Sequence, residues 1–224
     1  MRARLSADFV ARAIGRSLWD FGNRVLYDLC ANHPHHDEDE VIVAKVWLIG
    51  RSYAAAIERR RDHKSPLSGD AFYERTVAPK IRKSGIDRWF RSISDDGSND
   101  IALTLRVHKK LMDLFGSISG LEKRSLASKY LHFHFPGRYY IFDSRAMKGI
   151  QALTTGVGRN LHSIRNYDET YTRFYLRAQI LNAELNSLVG RSLSPRDVDK
   201  VLLAWDREPN PALPRMRGER YARR

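Results

Sequence analysis

A single aspartate, Asp143, is the residue of this sequence best suited to catalysis. It follows the apolar pair Ile141–Phe142 near the end of the stretch Gly120–Ala146, which joins a glycine turn, basic residues and an aromatic helix end. A carboxylate beside a reacting centre stabilises developing positive charge and can orient or deprotonate a water molecule. The same aspartate can cap a helix that begins at Ser144, and one side chain can do both. We therefore predict that Asp143 is the catalytic acid.

The histidines of this stretch are candidates for a supporting role. His132 and His134 lie two positions apart, so they cannot share one face of a helix, which argues against a joint metal site. Residues 33–40 contain further imidazoles and carboxylates, the types of side chain that bind zinc or iron. Consecutive acids ahead of a helix are more often the solvated start of that helix. The sequence therefore predicts no metal site.

Basic residues beside a glycine predict a place where phosphate can bind. Gly120 is followed by Lys123 and Arg124 at the expected start of a helix, where backbone amides and positive charge both favour an anion. Arg145 and Lys148 are further candidates for contact with phosphate. The competing interpretation is a plain helical hairpin whose charges face water.

Amphipathic helices must position these side chains, because apolar residues recur at spacings of three and four along most of the chain. The predicted helices cover about 7–31 (one helix or a broken pair), 39–61, 70–83, 101–115, the glycine turn to 134, 169–189 and 195–205. Pro79 is expected to interrupt the third of these, and Tyr139–Phe142 is at most a short extended segment. The expected fold is all-α. Residues 1–206 would form a single domain, a two-lobed helical bundle that contains a helix-hairpin-helix, and residues 207–224 a basic, flexible tail.

The composition favours a polyanionic partner. Lys and Arg number 39 against 26 Asp and Glu, which gives a formal net charge of +13 and an isoelectric point near 10.1. Such a field attracts double-stranded DNA, although a merely basic protein has the same balance. The single Cys30 cannot form an intramolecular disulfide, and the charged N-terminus lacks the apolar core of a signal peptide, so a cytoplasmic location, nucleoid-associated in a bacterium, is expected. No stretch approaches the roughly 18 apolar residues of a membrane span. We predict no membrane association, no cofactor and no obligate protein partner.

Three short motifs occur in a characteristic order. They are Ile118–Leu121 at the turn, Ala127–Ser128 in the next helix and Ile141–Arg145 around the aspartate. This order resembles the helix-hairpin-helix DNA glycosylase superfamily, and most closely its 8-oxoguanine DNA glycosylase branch. That family has a Leu-Pro-Gly-Val-Gly hairpin, then Lys-x-Ala, an apolar helix and a catalytic aspartate after apolar residues. Ala127 and Asp143 are 143 − 127 = 16 positions apart, which keeps the family's register.

The sequence departs from the family's pattern in its hairpin and in its nucleophile. Glu122 stands where the second glycine is expected, and an extra residue precedes Ala127. The lysine that forms a Schiff base in bifunctional members is missing, because the register places Ser125 or Arg124 there. Arginine cannot be deprotonated at ordinary pH, and serine cannot form an imine. The resemblance therefore implies a monofunctional enzyme. It would flip a damaged or modified base and hydrolyse its N-glycosidic bond, in base-excision repair or in defence against phage DNA with modified bases.

Other residues could replace or support the missing lysine. Lys123 and Lys129 carry suitable amines, but Lys129 lies one helical turn beyond Ser125 and would need a different approach. Ser125 itself is a further candidate, and either His132 or His134 could contact a flipped base or support the acid. The alternative function is a non-catalytic helix-hairpin-helix DNA-binding module that kept the hairpin and lost the chemistry. A third is an RNA-directed nuclease or adaptor.

Overall fold

The computed structural model describes residues 5–59, 69–154 and 167–207, and these residues form helices without any strand. The helices are α1 (Ala7–Ile14), α2 (Asp20–Asn32), α3 (Asp39–Ser52), α4 (Asp70–Phe72), α5 (Ala78–Arg82), α6 (Ile86–Ser94), α7 (Ile101–Ser119), α8 (Arg124–His134), α9 (Ser144–Leu153), α10 (Glu169–Val189) and α11 (Pro195–Arg207). A π-helical segment, Tyr73–Val77, joins α4 to α5. The prediction of an all-α fold is confirmed. The predicted basic tail lies outside the described residues, apart from its first residue, Arg207.

The first half of the chain contains two breaks that determine how the site is built. The predicted helix at 7–31 is a broken pair, in which α1 ends before Gly15 and α2 begins at Asp20. The predicted helix at 39–61 was too long, because α3 ends at Ser52 and Ala54 adopts a left-handed conformation with φ of +52°. The chain then folds back so closely on Gly50 that a Cβ there would lie 3.1 Å from the Cα of Ala56.

Helix α8 lies at the centre of the structure. It packs against α2, α3 and α7, and eight consecutive residues, 126–133, are buried. Polar side chains on this helix must therefore find partners inside the protein. Gly120, with φ of +76°, ends α7 and leads to the start of α8 at Arg124. Helices α7 and α8 thus form an adjacent, packed pair, and the assignment of this pair as a helix-hairpin-helix stays a prediction.

The segment after α8 runs through the core and delivers Asp143 to the start of α9. Tyr139, Tyr140 and Ile141 are buried, and the segment is extended without joining a sheet. Helix α9 packs against α10 and α11. Its contact with α11 is close, because a Cβ on Gly149 would lie 2.9 Å from the Cδ2 of Leu202.

Buried side chains from α1 to α11 belong to one core cluster, so the described residues do not divide into two separate cores. Helix α1 packs against α10 and α11, which joins the two ends of the described chain. None of the described helices is long and apolar enough to cross a bilayer.

Candidate functional site

Asp143 uses its two carboxylate oxygens for different purposes. Its Oδ1 caps α9 by accepting hydrogen bonds from the backbone amides of Arg145 at 3.0 Å and Ala146 at 2.9 Å. Its Oδ2 faces Lys129, at 3.7 Å from the Nζ atom, and the Asp143 side chain remains 30% exposed. The cap therefore orients the carboxylate while leaving one oxygen free for chemistry.

Lys129 was a candidate from the sequence, but its contact with Asp143 was not predicted. Its side chain is only 3% exposed, and its Nζ donates hydrogen bonds to the Tyr53 carbonyl at 2.9 Å and to Ser125 Oγ at 3.0 Å. Helical side chains lean toward the N-terminus of their helix, so the amine reaches back to the level of Ser125. Burial lowers the pKa of Lys129, while the charges of Asp143 and Asp199 raise it. Lys129 thus lies beside the position at which the family resemblance expects a lysine.

Two serines of α8 hold the segment that leads to Asp143. Ser125 Oγ donates to the Phe142 carbonyl at 3.0 Å, and the Phe142 amide donates to Ser128 Oγ at 3.0 Å. These bonds fix the backbone one residue before the acid. Ser125 is therefore a positioning residue in this arrangement, and its hydroxyl also accepts a bond from Lys129.

A second acid, Asp199 of α11, was not predicted. It is 4% exposed and forms an ion pair with Arg196. Burial raises the pKa of Asp199 to about 6, and the charge of Asp143 raises it as well, while Arg196 and Lys129 lower it. An acid on the apolar face of a helix, next to Val198 and one turn before Leu202, was the signal in the sequence that could have revealed it.

We call Lys129, Asp143 and Asp199 the charged cluster. Tyrosine side chains and two cavities lie next to residues of this cluster or to their bonded partners. The Tyr53 ring lies 5.8 Å from Lys129 Nζ, and its hydroxyl donates to Asn23 Oδ1 at 2.6 Å. Ser125, which bonds Lys129, lines a cavity of about 240 Å³ with Ala54, Ala55, Ala56, Arg59, Glu122, Lys123 and Leu126. Arg196, which bonds Asp199, lines another of about 430 Å³ with Arg16, Asp20, Asn23, Arg24 and Tyr27. Each cavity is therefore bordered by a residue that is bonded to the cluster.

The two histidines proposed as supporting residues are held in the core by other partners. The ring of His132 shares hydrogen bonds with the Tyr139 carbonyl at 2.7 Å and the Tyr27 hydroxyl at 2.7 Å, and burial lowers its pKa to about 4. The ring of His134 packs 4.8 Å from Phe90. Both of these hydrogen bonds of His132 go to partners other than Asp143. They therefore do not support a direct role of His132 beside the acid.

The loop considered as a metal site sends one histidine into the core. His36 shares hydrogen bonds with Asp87 at 2.6 Å and with the Tyr130 hydroxyl at 2.8 Å. Among the described residues, no group of three or more histidines, cysteines or acids is arranged to hold a metal ion.

The residues predicted to contact phosphate differ in how far they are engaged within the protein. Arg124 forms ion pairs with Asp168 and with Glu122, the latter at 3.1 Å. Lys123 is half-buried and donates to the Arg59 carbonyl at 2.6 Å. The remaining candidates are Arg145, which pairs with Asp206 at 2.6 Å but is 44% exposed, Lys148, which is exposed on α9, and Gly120 at the turn. Arg124 is therefore committed to a structural ion pair, while Arg145 and Lys148 remain on the surface.

The chain matches no protein-family model, and no curated protein or solved structure matches it. The resemblance to the helix-hairpin-helix DNA glycosylases therefore stays a prediction from the sequence.

Proposed function

We propose that this protein is a DNA glycosylase that flips a damaged or modified base of duplex DNA and hydrolyses its N-glycosidic bond, with Asp143 as the essential acid. The observation that carries this proposal is that the two carboxylate oxygens of Asp143 have different partners. One oxygen is fixed by the cap of α9, and the other lies 3.7 Å from the buried amine of Lys129. Base-excision repair and defence against phage DNA with modified bases are both settings in which this activity would serve.

The chemistry follows from the charge that develops on the sugar. As the base departs, the sugar gains cationic character, which a fixed carboxylate stabilises while it orients or deprotonates the attacking water. The Asp143 side chain is 30% exposed, and its Oδ2 takes no part in the cap of α9, which leaves this oxygen available for that role. The formal net charge of +13 produces a positive field, which would attract DNA to the protein.

We propose hydrolysis without lyase activity. A Schiff base requires a free electron pair on the amine, and an ammonium has three N–H donors and no acceptor. The Nζ of Lys129 faces three acceptors, namely the Tyr53 carbonyl, Ser125 Oγ and Asp143 Oδ2. Burial lowers the pKa of Lys129, but these three acceptors favour its ammonium form, in which Lys129 cannot attack the sugar.

Asp143→Asn tests the proposal, because asparagine caps a helix as well as aspartate does but carries no charge. Base release from a panel of duplexes with modified bases, measured by mass spectrometry, should fall by about 100-fold or more. Asp100→Asn is a matched control. Asp100 caps α7 through the Ala102 amide and lies 3.7 Å from Arg106. Like Asp143, it is therefore a helix-capping aspartate with a nearby cation, but it lies outside the proposed site.

We expect the Asp100 variant to release bases at the wild-type rate. Wild-type rates in Asp143→Asn would show that the acid is dispensable, and a wild-type protein that releases no base from the panel would remove the proposal altogether.

The second candidate function is a non-catalytic DNA-binding module. It is favoured by the same contacts, because a capping aspartate with a buried lysine as its counterion can serve stability alone. Binding of duplex DNA that weakens with salt, without release of any base, would support this function over the first.

A further inference from the structure

The turn between α1 and α2 exposes three large apolar side chains. Leu18 is fully exposed, Trp19 is 73% exposed and Phe21 is 69% exposed. We call these three residues the α1–α2 knob. Single exposed apolar residues need no explanation, but three within four positions, two of them aromatic, are typical of an interaction surface.

The turn that carries the knob is held in place by polar contacts. The carboxylate of Asp20 accepts a hydrogen bond from the Ser17 amide at 2.8 Å and lies 3.0 Å from Lys200 Nζ. The same amine donates to the Gly15 carbonyl at 3.2 Å. The backbone that carries the knob is therefore held against α11, which pre-organises it for recognition.

Arginines surround the knob. Arg12, Arg16 and Arg24 are exposed, and the guanidinium of Arg24 lies 5.7 Å from the Phe21 ring. Aromatic rings interleaved with cations fit a partner that combines flat π-faces with negative charge. Nucleic acid has both in every nucleotide.

The knob also borders a cavity whose lining includes Arg196, the ion-pair partner of Asp199. Trp19 lines a cavity of about 390 Å³ together with Arg16 and Arg196. Both arginines also line the cavity of about 430 Å³ beside Tyr27. Arg196 pairs with Asp199, whose pKa responds to the charges of Lys129 and Asp143. Arg196 therefore borders both cavities and also pairs with Asp199.

We propose that the α1–α2 knob is a wedge that stacks on the bases of duplex DNA beside the target nucleotide, with Arg12, Arg16 and Arg24 on the flanking phosphates. This inference rests on the proposed function, since a glycosylase must take its base out of the stack. Apolar wedges unstack neighbouring base steps, and aromatic side chains replace the stacking partner that the flipped base has left.

A lipid surface fits the same region less well. Binding in a membrane interface needs a helix with a wide, continuous apolar face. The exposed positions of α1 and α2 include Asp8, Arg12, Gly22 and Asp28, which interrupt such a face.

The test uses the full chain and a duplex that carries 2-aminopurine in the place of the target base, because this base analogue fluoresces more strongly when it is flipped out of the stack. Wild-type protein should raise its emission on binding. Trp19→Ala combined with Phe21→Ala should abolish that rise and weaken binding to the duplex by about 10-fold or more. Trp19→Phe combined with wild-type Phe21 should restore most of both signals, since a π-face is retained.

Trp47→Ala is the matched control. Trp47 is also an exposed tryptophan, at 43%, with the guanidinium of Arg51 at 5.5 Å, but Arg51 pairs with Glu58 and lies on α3 rather than on the knob. This variant should keep the affinity and the emission rise of the wild type. Because Trp19 and Phe21 are exposed, their variants should also melt at the wild-type temperature.

Two results would overturn the inference. One is an unchanged affinity and emission rise in the double variant. The other is unchanged DNA binding with lost binding to phosphatidylserine vesicles, which would assign the knob to a lipid surface. Failure of the proposed function is distinguishable from both. Emission changes that depend on the knob, without release of any base, would contradict the proposed glycosylase activity and support the wedge. Base release that is unchanged in the knob variants would support the glycosylase activity and contradict the wedge.

Discussion

Among single residues, the pair of Lys129 and Asp143 has the clearest consequences. Its two charged groups come from a buried helix and from a helix cap and lie 3.7 Å apart, and the amine also donates a hydrogen bond to the Tyr53 carbonyl. Removing one member of such a pair leaves a buried group without compensation. The pair is therefore both a structural contact and the centre of the proposed chemistry.

Lys129→Gln should lower base release by about 10- to 100-fold, because the cation that orients Asp143 Oδ2 is lost while a donor for the Tyr53 carbonyl is kept. Single-turnover assays on a modified duplex measure the effect. Lys109→Gln is the control, since Lys109 forms an exposed pair with Asp113 at 2.6 Å. The wild type should yield no covalent adduct under borohydride. An adduct that disappears in Lys129→Gln would identify Lys129 as a nucleophile and contradict hydrolysis without lyase activity.

Among the elements, α8 and α10 are tied together by an ion pair at their N-terminal ends. Arg124 begins α8 and pairs with Asp168, which is 5% exposed and caps α10 through the Thr170 amide at 3.2 Å. Its guanidinium also lies 5.9 Å from the centre of the Phe142 ring. This contact holds the residue before Asp143 against both helices.

Arg124→Ala should therefore act mainly on stability. We expect the free energy of unfolding to fall by about 2 kcal/mol, less than for a fully buried pair because the Arg124 side chain is 23% exposed. Urea denaturation measures this loss. Arg173→Ala, which removes an exposed pair with Glu169, should change stability by less than about 0.5 kcal/mol. A stable Arg124 variant that binds DNA poorly would instead support the original prediction of a phosphate contact.

For the whole molecule, buried histidines should control the response to acid. Burial lowers the pKa of His36 to about 4, of His108 to about 3 and of His132 to about 4, and lowers that of His134 as well. The unfolded chain takes up protons near the ordinary value of about 6.5, while the folded chain does not. Stability is therefore complete above that value and is lost as the pH falls toward the lowered values.

His108→Phe should reduce this acid sensitivity. The ring of His108 stacks on Tyr171 at 3.6 Å, a geometry that phenylalanine can keep without binding a proton. The difference in unfolding free energy between variant and wild type should grow by about 1 kcal/mol per pH unit on acidification below pH 6.5. Urea titrations at several pH values measure it, with the exposed His33→Asn as control. A constant difference across that range would contradict a buried, neutral His108.

The sequence predicted the type of fold more fully than the composition of the site. Apolar spacing was sufficient for α7, α8 and α10, because each buries a continuous stripe. It could not place the end of α3, since that break depends on the approach of Ala56 to Gly50 in three dimensions. The nine-residue helix α6 was not predicted at all.

For the site, the cap by Asp143 followed from the sequence, whereas its neighbours did not. The partner of Lys129 is a carbonyl 76 positions earlier in the chain, and Arg124 finds its acid 44 positions later. Such long-range contacts depend on how the helices pack, and the spacing of residues along the sequence does not predict that packing. Asp199 joined the cluster for the same reason, through the packing of α11 on α9.

That packing sets the order in which the proposed site can assemble as the chain is made. Asp199 follows Asp143 by 199 − 143 = 56 positions, and α11 fastens α9 through Leu202 and through the pair of Asp206 with Arg145. A ribosome releases the α7–α8 pair and Asp143 well before α11 emerges. A nascent chain would therefore expose the residues proposed to bind DNA before α11 fastens α9, and the proposed activity would begin only after α11 has left the ribosome.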